Sequence, residues 1–285
     1  MTKDTAFYQK KVLKLNGKPC VLEAPQVMGI INATPDSFYE GSRTNATEDV
    51  VRKAGQMLEE GAFMLDVGGY STRPGADDIP AEEEKQRVCR AVEAIKKEFA
   101  EAVISVDTFR ADVAKAAVEA GASVVNDVSG GTLDDAMYGT VANLGVPYIM
   151  MHMRGTPQNM QDFTEYGDIV RDIIDFFHPR IHRLRKLGVN DIILDPGFGF
   201  SKTLDQNFEL LRRMKELELL ECPVLAGVSR KSMIWKTLDI TASEALNGTT
   251  ATHAFALANG AKILRAHDVK EAVEAVKIYM AMSGA

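Results

Sequence analysis

Val103-Ile104-Ser105-Val106-Asp107-Thr108 opens the unit that decides the fold. A short apolar run ends on an acidic residue, an amphipathic stretch over 110–120 follows, Gly121 closes it, and a second run begins at Ser123-Val124-Val125-Asn126. The two runs are continuously apolar instead of alternating, the pattern of parallel strands covered on both faces. A glycine just after an amphipathic stretch marks a helix C-terminus, because glycine enters the left-handed region without strain. The unit reads as strand, helix, strand.

The same pattern extends in both directions. Apolar runs lie at 27–31, 63–67, 103–106, 123–125, 146–151, 192–194, 224–226 and 263–264. Helix-like stretches lie at 48–60, 82–99, 110–120, 169–187, 207–217 and 244–259, and Gly61, Gly121, Gly145, Gly188 and Gly260 stand at the expected C-termini. Eight such units predict an α/β chain folded as a (β/α)8 TIM barrel, with a doubly wound open sheet as the alternative. Ahead of them, Val12-Leu13-Lys14-Leu15, then Asn16-Gly17, then Cys20-Val21-Leu22 predicts a short N-terminal β-hairpin turning on Asn-Gly and plugging or flanking the barrel bottom. No linker or low-complexity tract divides the chain. Residues 1–25 are read as a hairpin extension and 26–285 as one barrel domain.

The 285 residues are 46% hydrophobic and 26% charged, an ordinary globular balance. A net charge of −7 gives no reason to expect nucleic acid or an acidic membrane as partner. Cys20, Cys89 and Cys222 show no metal-ligand spacing and suit a reducing compartment. The polar N-terminus lacks the apolar core of a signal peptide, and the apolar stretch 141–151 is too short to span a bilayer. Cytoplasm is the expected location.

In a parallel barrel the strand C-termini converge on one mouth. The residues at or just past the runs are Asn32, Asp66, Asp107, Asn126, Met151-His152, Asp195, Ser229-Arg230-Lys231 and Arg265-Ala266-His267. Any one of the Asn or Asp residues could cap the helix that follows. Together they form a ligand site. A flat heterocycle rich in N–H donors would satisfy Asp107, Asn126 and Asp195, while Lys231, Arg265, His267 and Asn32 suit phosphate oxygens, with or without Mg2+. The residues thus point to a polar ring system carrying phosphate or pyrophosphate.

Several segments carry a resemblance. They are Asn32-Ala33-Thr34-Pro35-Asp36-Ser37-Phe38, Asp66-Val67-Gly68-Gly69-Tyr70-Ser71-Thr72-Arg73-Pro74-Gly75, Asp195-Pro196-Gly197-Phe198-Gly199-Phe200, Ser229-Arg230-Lys231-Ser232 and Arg265-Ala266-His267-Asp268-Val269. In this order, with Ser105-Val106-Asp107-Thr108 and Asn126-Asp127-Val128-Ser129-Gly130, they closely resemble the dihydropteroate synthase family. The resemblance implies a transferase of folate biosynthesis, a sulfonamide target, that condenses 6-hydroxymethyl-7,8-dihydropterin pyrophosphate with p-aminobenzoate. It places Asp107, Asn126, Met151, Asp195 and Lys231 in the pterin pocket. Asn32, Arg265 and His267 match the pyrophosphate and Mg2+ site, with Asn32 toward the metal. Phe200, Lys231 and Ser232 match the p-aminobenzoate pocket, and two loops bearing Asp36 and Thr72-Arg73 close over the second substrate. Asp36, Asp107, Asp195 and Lys231 carry the chemistry in this reading, by an SN1-like route, in a homodimer.

Two positions depart from the family. Tyr70 stands where Glu is usual, and Tyr39-Glu40-Gly41-Ser42 replaces a more common polar loop end. Both bear on the second substrate and leave the reaction class intact. Rival readings are a pterin-binding methyltransferase and a non-catalytic pterin-binding paralogue. His178 and His182 have zinc-pair spacing but read as a solvated helix face, Met150-Met151-x-Met153 as core filler, and Glu82-Glu83-Glu84 as the first turn of a helix.

Overall fold

The hairpin forms where expected. In the computed structural model, which describes residues 12–33, 43–71 and 78–284, β1 (Val12–Leu15) pairs antiparallel with β2 (Lys18–Val21). Asn16 and Gly17 both have positive φ, at 48° and 74°, the requirement of a type I′ turn.

Eight parallel strands close into a barrel in the order β10-β3-β4-β5-β6-β7-β8-β9, so the open-sheet alternative is excluded. They are β3 (Gln26–Asn32), β4 (Met64–Gly68), β5 (Ile104–Asp107), β6 (Val124–Asp127), β7 (Tyr148–Met151), β8 (Ile192–Asp195), β9 (Val224–Ala226) and β10 (Ala261–Ala266). The helices are α1 (Arg43–Glu59), α2 (Ala81–Glu98), α3 (Ala111–Glu119), α4 (Met137–Leu144), α5 (Ile169–Lys186), α6 (Leu204–Arg213), α7 (Ser232–Leu238), α8 (Leu246–Ala258) and α9 (Val269–Ser283). Among the described residues no helix is long and apolar enough to cross a membrane.

The sequence pattern placed most elements but missed some edges. Several strands run further toward the mouth than their apolar runs, so that Asn32, Asp107 and Asp195 end strands and Asp66 lies inside one. The helical stretch expected over 207–217 breaks at Arg213 and continues as a 3-10 helix, Met214–Leu220, and the one expected from Glu244 begins at Leu246. Each glycine expected to end a helix has positive φ.

Successive residues of a strand face opposite sides. Outward-facing Val27, Leu65, Ile104, Val125, Tyr148, Ile192, Val224 and Leu264 pack beneath the helices. Inward-facing Met28, Met64, Val124, Ile149, Ile193, Leu225 and Ile263 form an apolar layer inside the barrel, and Leu13, Leu15 and Leu22 complete it from the hairpin side. The hairpin is tied to loops that precede strands: the Lys14 amide donates to Asp191 at 2.9 Å and the Asn16 side chain to the Glu101 carbonyl at 3.2 Å. The hairpin therefore plugs the bottom, and the strand C-termini form the opposite, open end of the described barrel.

Leu13 is 0% exposed inside that plug, whereas Val12 and Val21 on the same hairpin are 39% and 52% exposed. Leu13→Ala is expected to lower the urea-derived unfolding free energy by about 2–4 kcal/mol. Val12→Ala or Val21→Ala should change it by less than about 0.5 kcal/mol. Equal effects for the buried and exposed positions would show that the hairpin does not plug the barrel.

Candidate functional site

One pleat above the apolar layer the barrel interior turns polar. Two residues on from Met64, Val124, Ile193 and Ile263 stand Asp66, Asn126, Asp195 and Arg265, and two on from Ser105 stands Asp107. Arg265 crosses the mouth to join these strands, with Nε donating to Asp66 Oδ2 at 2.6 Å and Nη2 to Asp107 Oδ2 at 2.8 Å. Asn126 Nδ2 donates to the same Asp66 oxygen at 3.0 Å. That bond fixes the amide: its nitrogen faces Asp66, and its carbonyl oxygen is left to accept from a ligand. Asp66 Oδ1 and Ser105 Oγ, register neighbours on β4 and β5, have no partner among the described residues.

Burial pushes the Asp107 carboxyl up to about 7, opposed by the Arg265 guanidinium and reinforced by the Asp66 charge. Burial also raises Asp195, with Lys231 opposing it, and Asp195 Oδ1 accepts from the Gly197 amide at 2.8 Å. Lys231 is pushed down to about 8 by burial, with Asp195 opposing. Its Nζ donates to the Phe198 carbonyl and lies 4.7 Å from the Phe200 ring centroid. Met151, Met153, Met160 and Val128 form a small apolar cluster with Phe109 and Phe200. Two carboxylates, an amide oxygen and a lysine beside an apolar wall suit a planar ring with several N–H donors.

At the rim, His267 follows β10 and is braced by Ser229. Ser229 Oγ accepts from the His267 amide at 3.1 Å and lies 3.0 Å from His267 Nδ1. The hydroxyl proton is best used toward Nδ1, which leaves the ring proton on Nε2 as the donor for a ligand. Burial and the nearby Arg265 charge push His267 down to about 4, so the ring is neutral at pH 7. Asn32 ends β3, and Ser232 begins α7 next to Lys231.

The structure thus brings together Asp107, Asn126, Met151, Asp195, Phe200, Lys231 and Arg265, and sets Asn32, Ser232 and His267 around the same mouth. Asp36, Thr72 and Arg73 lie outside the described residues. Two of the Arg265 donors are engaged by Asp66 and Asp107, which ties this cation to the acidic floor and leaves its other donors for a ligand. Arg230, another strand-end cation, turns away to a bidentate pair with Asp268 and to the Ala242 and Ser243 carbonyls.

Sequence reasoning placed Asp66 among the strand-end polar residues without a specific role and gave none to Lys202. Glu82, Glu83 and Glu84 form the first turn of α2 as expected, but Glu84 is fully buried, accepting from Thr108 at 2.6 Å and Arg110 at 2.6 Å. The signal was present, since Glu84, Val88, Ala91, Val92 and Ile95 share the helix stripe that faces the core. Lys202 had no such signal, because only the folded loop buries it. His178 and His182 are exposed as expected, and the described residues contain no cluster of three or more His, Cys, Asp or Glu suited to a metal.

Comparison with known proteins agrees with this geometry. The family described as pterin binding enzyme matches residues 28–267. Dihydropteroate synthase from Synechocystis is 44% identical over 255 residues, covering 88% of each chain. The Xanthomonas albilineans dihydropteroate synthase solved with 4-aminobenzoic acid superposes with a TM-score of 0.90 at 38% identity, covering 97% of this chain and 100% of that one. The same organism's enzyme in complex with 7,8-dihydropteroate gives a TM-score of 0.86 at 35% identity, covering 96% and 99%. On that extent of likeness in sequence and fold, the chain belongs to the dihydropteroate synthase family of pterin-binding enzymes.

Proposed function

We propose that this transferase condenses 6-hydroxymethyl-7,8-dihydropterin pyrophosphate with p-aminobenzoate, forming 7,8-dihydropteroate and pyrophosphate for folate biosynthesis. The observation that carries this reading is the acceptor layer of Asp107, Asn126 and Asp195 beside Lys231. Relatives solved with 4-aminobenzoic acid and with 7,8-dihydropteroate support the same choice of substrate and product.

In this reading the pterin lies over the acceptors, with Met151 against its ring. The C–O bond to the diphosphate breaks with its electron pair leaving on oxygen. The resulting cation is stabilised by the fixed negative charges of Asp107 and Asp195. The arylamine nitrogen, held by Phe200, Lys231 and Ser232, forms the new C–N bond and then loses a proton. His267 Nε2–H and the donors of Arg265 not engaged by Asp66 and Asp107 serve the departing diphosphate. Asn32 offers one hard amide oxygen, which fits a Mg2+ otherwise held by phosphate oxygens and water. That ion would neutralise part of the leaving group's charge. We assign Asp36, Thr72 and Arg73, outside the described residues, to the second substrate, with Asp36 aiding attack by the arylamine.

We also propose a cytoplasmic homodimer. Cys20, Cys89 and Cys222 are not joined in disulfides, which fits a reducing compartment. The α8 sequence carries no charged side chain, and Phe255 on α8 with Ile278 and Met282 on α9 are 63%, 73% and 74% exposed, an apolar face suited to a second copy.

The primary test is product formation from the pterin pyrophosphate, p-aminobenzoate and Mg2+, followed by chromatography. Asp107→Asn and Asp195→Asn are each expected to lower kcat by about a hundredfold or more. Unchanged turnover and pterin affinity in both would refute the assignment. The ionised Asp107 gains population above about 7 and the Lys231 cation is lost above about 8. The pH profile of kcat/KM should therefore rise through the first value and fall through the second, and a flat profile between about pH 6 and 9 would contradict it. Phe255→Glu should convert the dimer to monomers in light scattering; a wild-type monomer would remove the dimer from the reading.

A further inference from the structure

Lys202 is the most deeply buried cation in the site region that the proposed chemistry leaves unused. Its side chain is 4% exposed. The ammonium has three donors and meets three acceptors: the Gly197 carbonyl at 2.9 Å, the Phe200 carbonyl at 3.0 Å and His152 Nδ1 at 3.1 Å. Gly197 and Phe200 are the first and last residues of one turn, closed by the Phe200 amide donating to the Gly197 carbonyl at 3.1 Å. Both ends of that turn therefore converge on one nitrogen.

The rest of the turn faces the site. The Gly197 amide holds Asp195 Oδ1, the Phe198 carbonyl accepts from Lys231, and the Phe200 ring lies beside the Lys231 ammonium. The turn has little room to shift. A Cβ at Gly197 would come within 2.1 Å of the His152 carbonyl oxygen, and one at Gly199 within 3.2 Å of the Lys231 stem. His152 is itself anchored, its amide donating to the Asp195 carbonyl at 2.9 Å and its ring packing edge-on against Phe176 at 4.9 Å.

We infer that Lys202 is a positioning residue: it clamps the Gly197–Phe200 turn and so sets the places of Phe200 and Lys231 at the arylamine end of the site. The inner side of the turn meets Lys202 and the outer side meets Lys231, so one loop registers two lysines against each other. The pterin end shares Asp195 and Lys231 with the turn, but Asp107, Asn126 and Arg265 are held by Asp66 on other strands, so it depends less on the clamp than Phe200 does. Burial pushes His152 down, so its neutral ring can accept at Nδ1. Burial also opposes the charge on Lys202, and the Asp195 charge and the two loop carbonyls favour it.

This inference rests on the proposed condensation, since its readout is affinity for the second substrate. Lys202→Met keeps the volume and removes the donors. It is expected to raise the KM for p-aminobenzoate about tenfold or more, while the KM for the pterin pyrophosphate moves by less than about threefold. Lys202→Arg, which keeps donors and charge, should recover part of that loss. If Lys202→Met does not fold, Lys202→Gln, which retains an amide donor, takes its place with a smaller expected rise. An unchanged arylamine KM, or an equal rise for both substrates, overturns the clamp. Absence of product with the wild-type protein would instead sink the condensation itself, so the two failures are distinguishable.

Discussion

The site depends on one buried guanidinium. Arg265, on β10, is held between Asp66 on β4 and Asp107 on β5, and Asp66 also receives Asn126 from β6. Removing one partner of such a network leaves an uncompensated charge, a cost of about 3–5 kcal/mol. The network therefore demands one register across four strands, and the closed order β10-β3-β4-β5-β6 supplies it. The same bonds serve function. With Asn126 Nδ2 turned to Asp66, its oxygen joins the carboxylates of Asp107 and Asp195 as an acceptor, giving the mouth one hydrogen-bonding polarity over most of its floor.

The supports behind that floor are built differently. Asp127, fully buried next to Asn126, accepts from the Ser129 amide and hydroxyl at 2.7 Å each, from the Gly131 amide at 2.8 Å and from the Tyr148 hydroxyl at 2.7 Å. Four donors satisfy a carboxylate that burial alone would push toward the neutral form. Glu84 does similar work behind Asp107 by holding Thr108 and Arg110, and Arg110 also donates to the Ile79 carbonyl at 2.9 Å. In both cases a residue with no place in the pocket holds the segment that follows a pocket residue, after Asn126 in one case and after Asp107 in the other.

Tyr70, where the resemblance leads one to expect Glu, joins two loops through its ring and its hydroxyl. The ring packs edge-on against Phe109 at 5.2 Å, Arg110 lies 5.4 Å from its centroid, and the hydroxyl accepts from Gln158 at 2.7 Å. A carboxylate there would act through charge. The tyrosine acts through aromatic packing and one neutral hydrogen bond between the loops after β4 and β7. Phe109 also borders the methionine cluster of Met151, Met153 and Met160, so this substitution touches the apolar wall and leaves the acceptor floor alone.

The local pattern was enough to predict the hairpin and eight strand–helix units, while the closed strand order decided between the barrel and an open sheet. Continuous apolar runs, glycines at helix ends and the Asn16-Gly17 turn all express short-range backbone preferences, and those survive in one dimension. The order of polar residues at the strand ends also marked Asp107, Asn126, Asp195, Lys231 and Arg265 as neighbours, because a parallel barrel gathers its strand C-termini. Only the tertiary structure decided which of these residues pair. Asp66 became the hub, Arg265 bridged it to Asp107, Arg230 turned away and Lys202 became a buried clamp. Those outcomes depend on inter-strand register and on which loop atoms meet a side chain across long sequence separations, and no spacing along the chain encodes either.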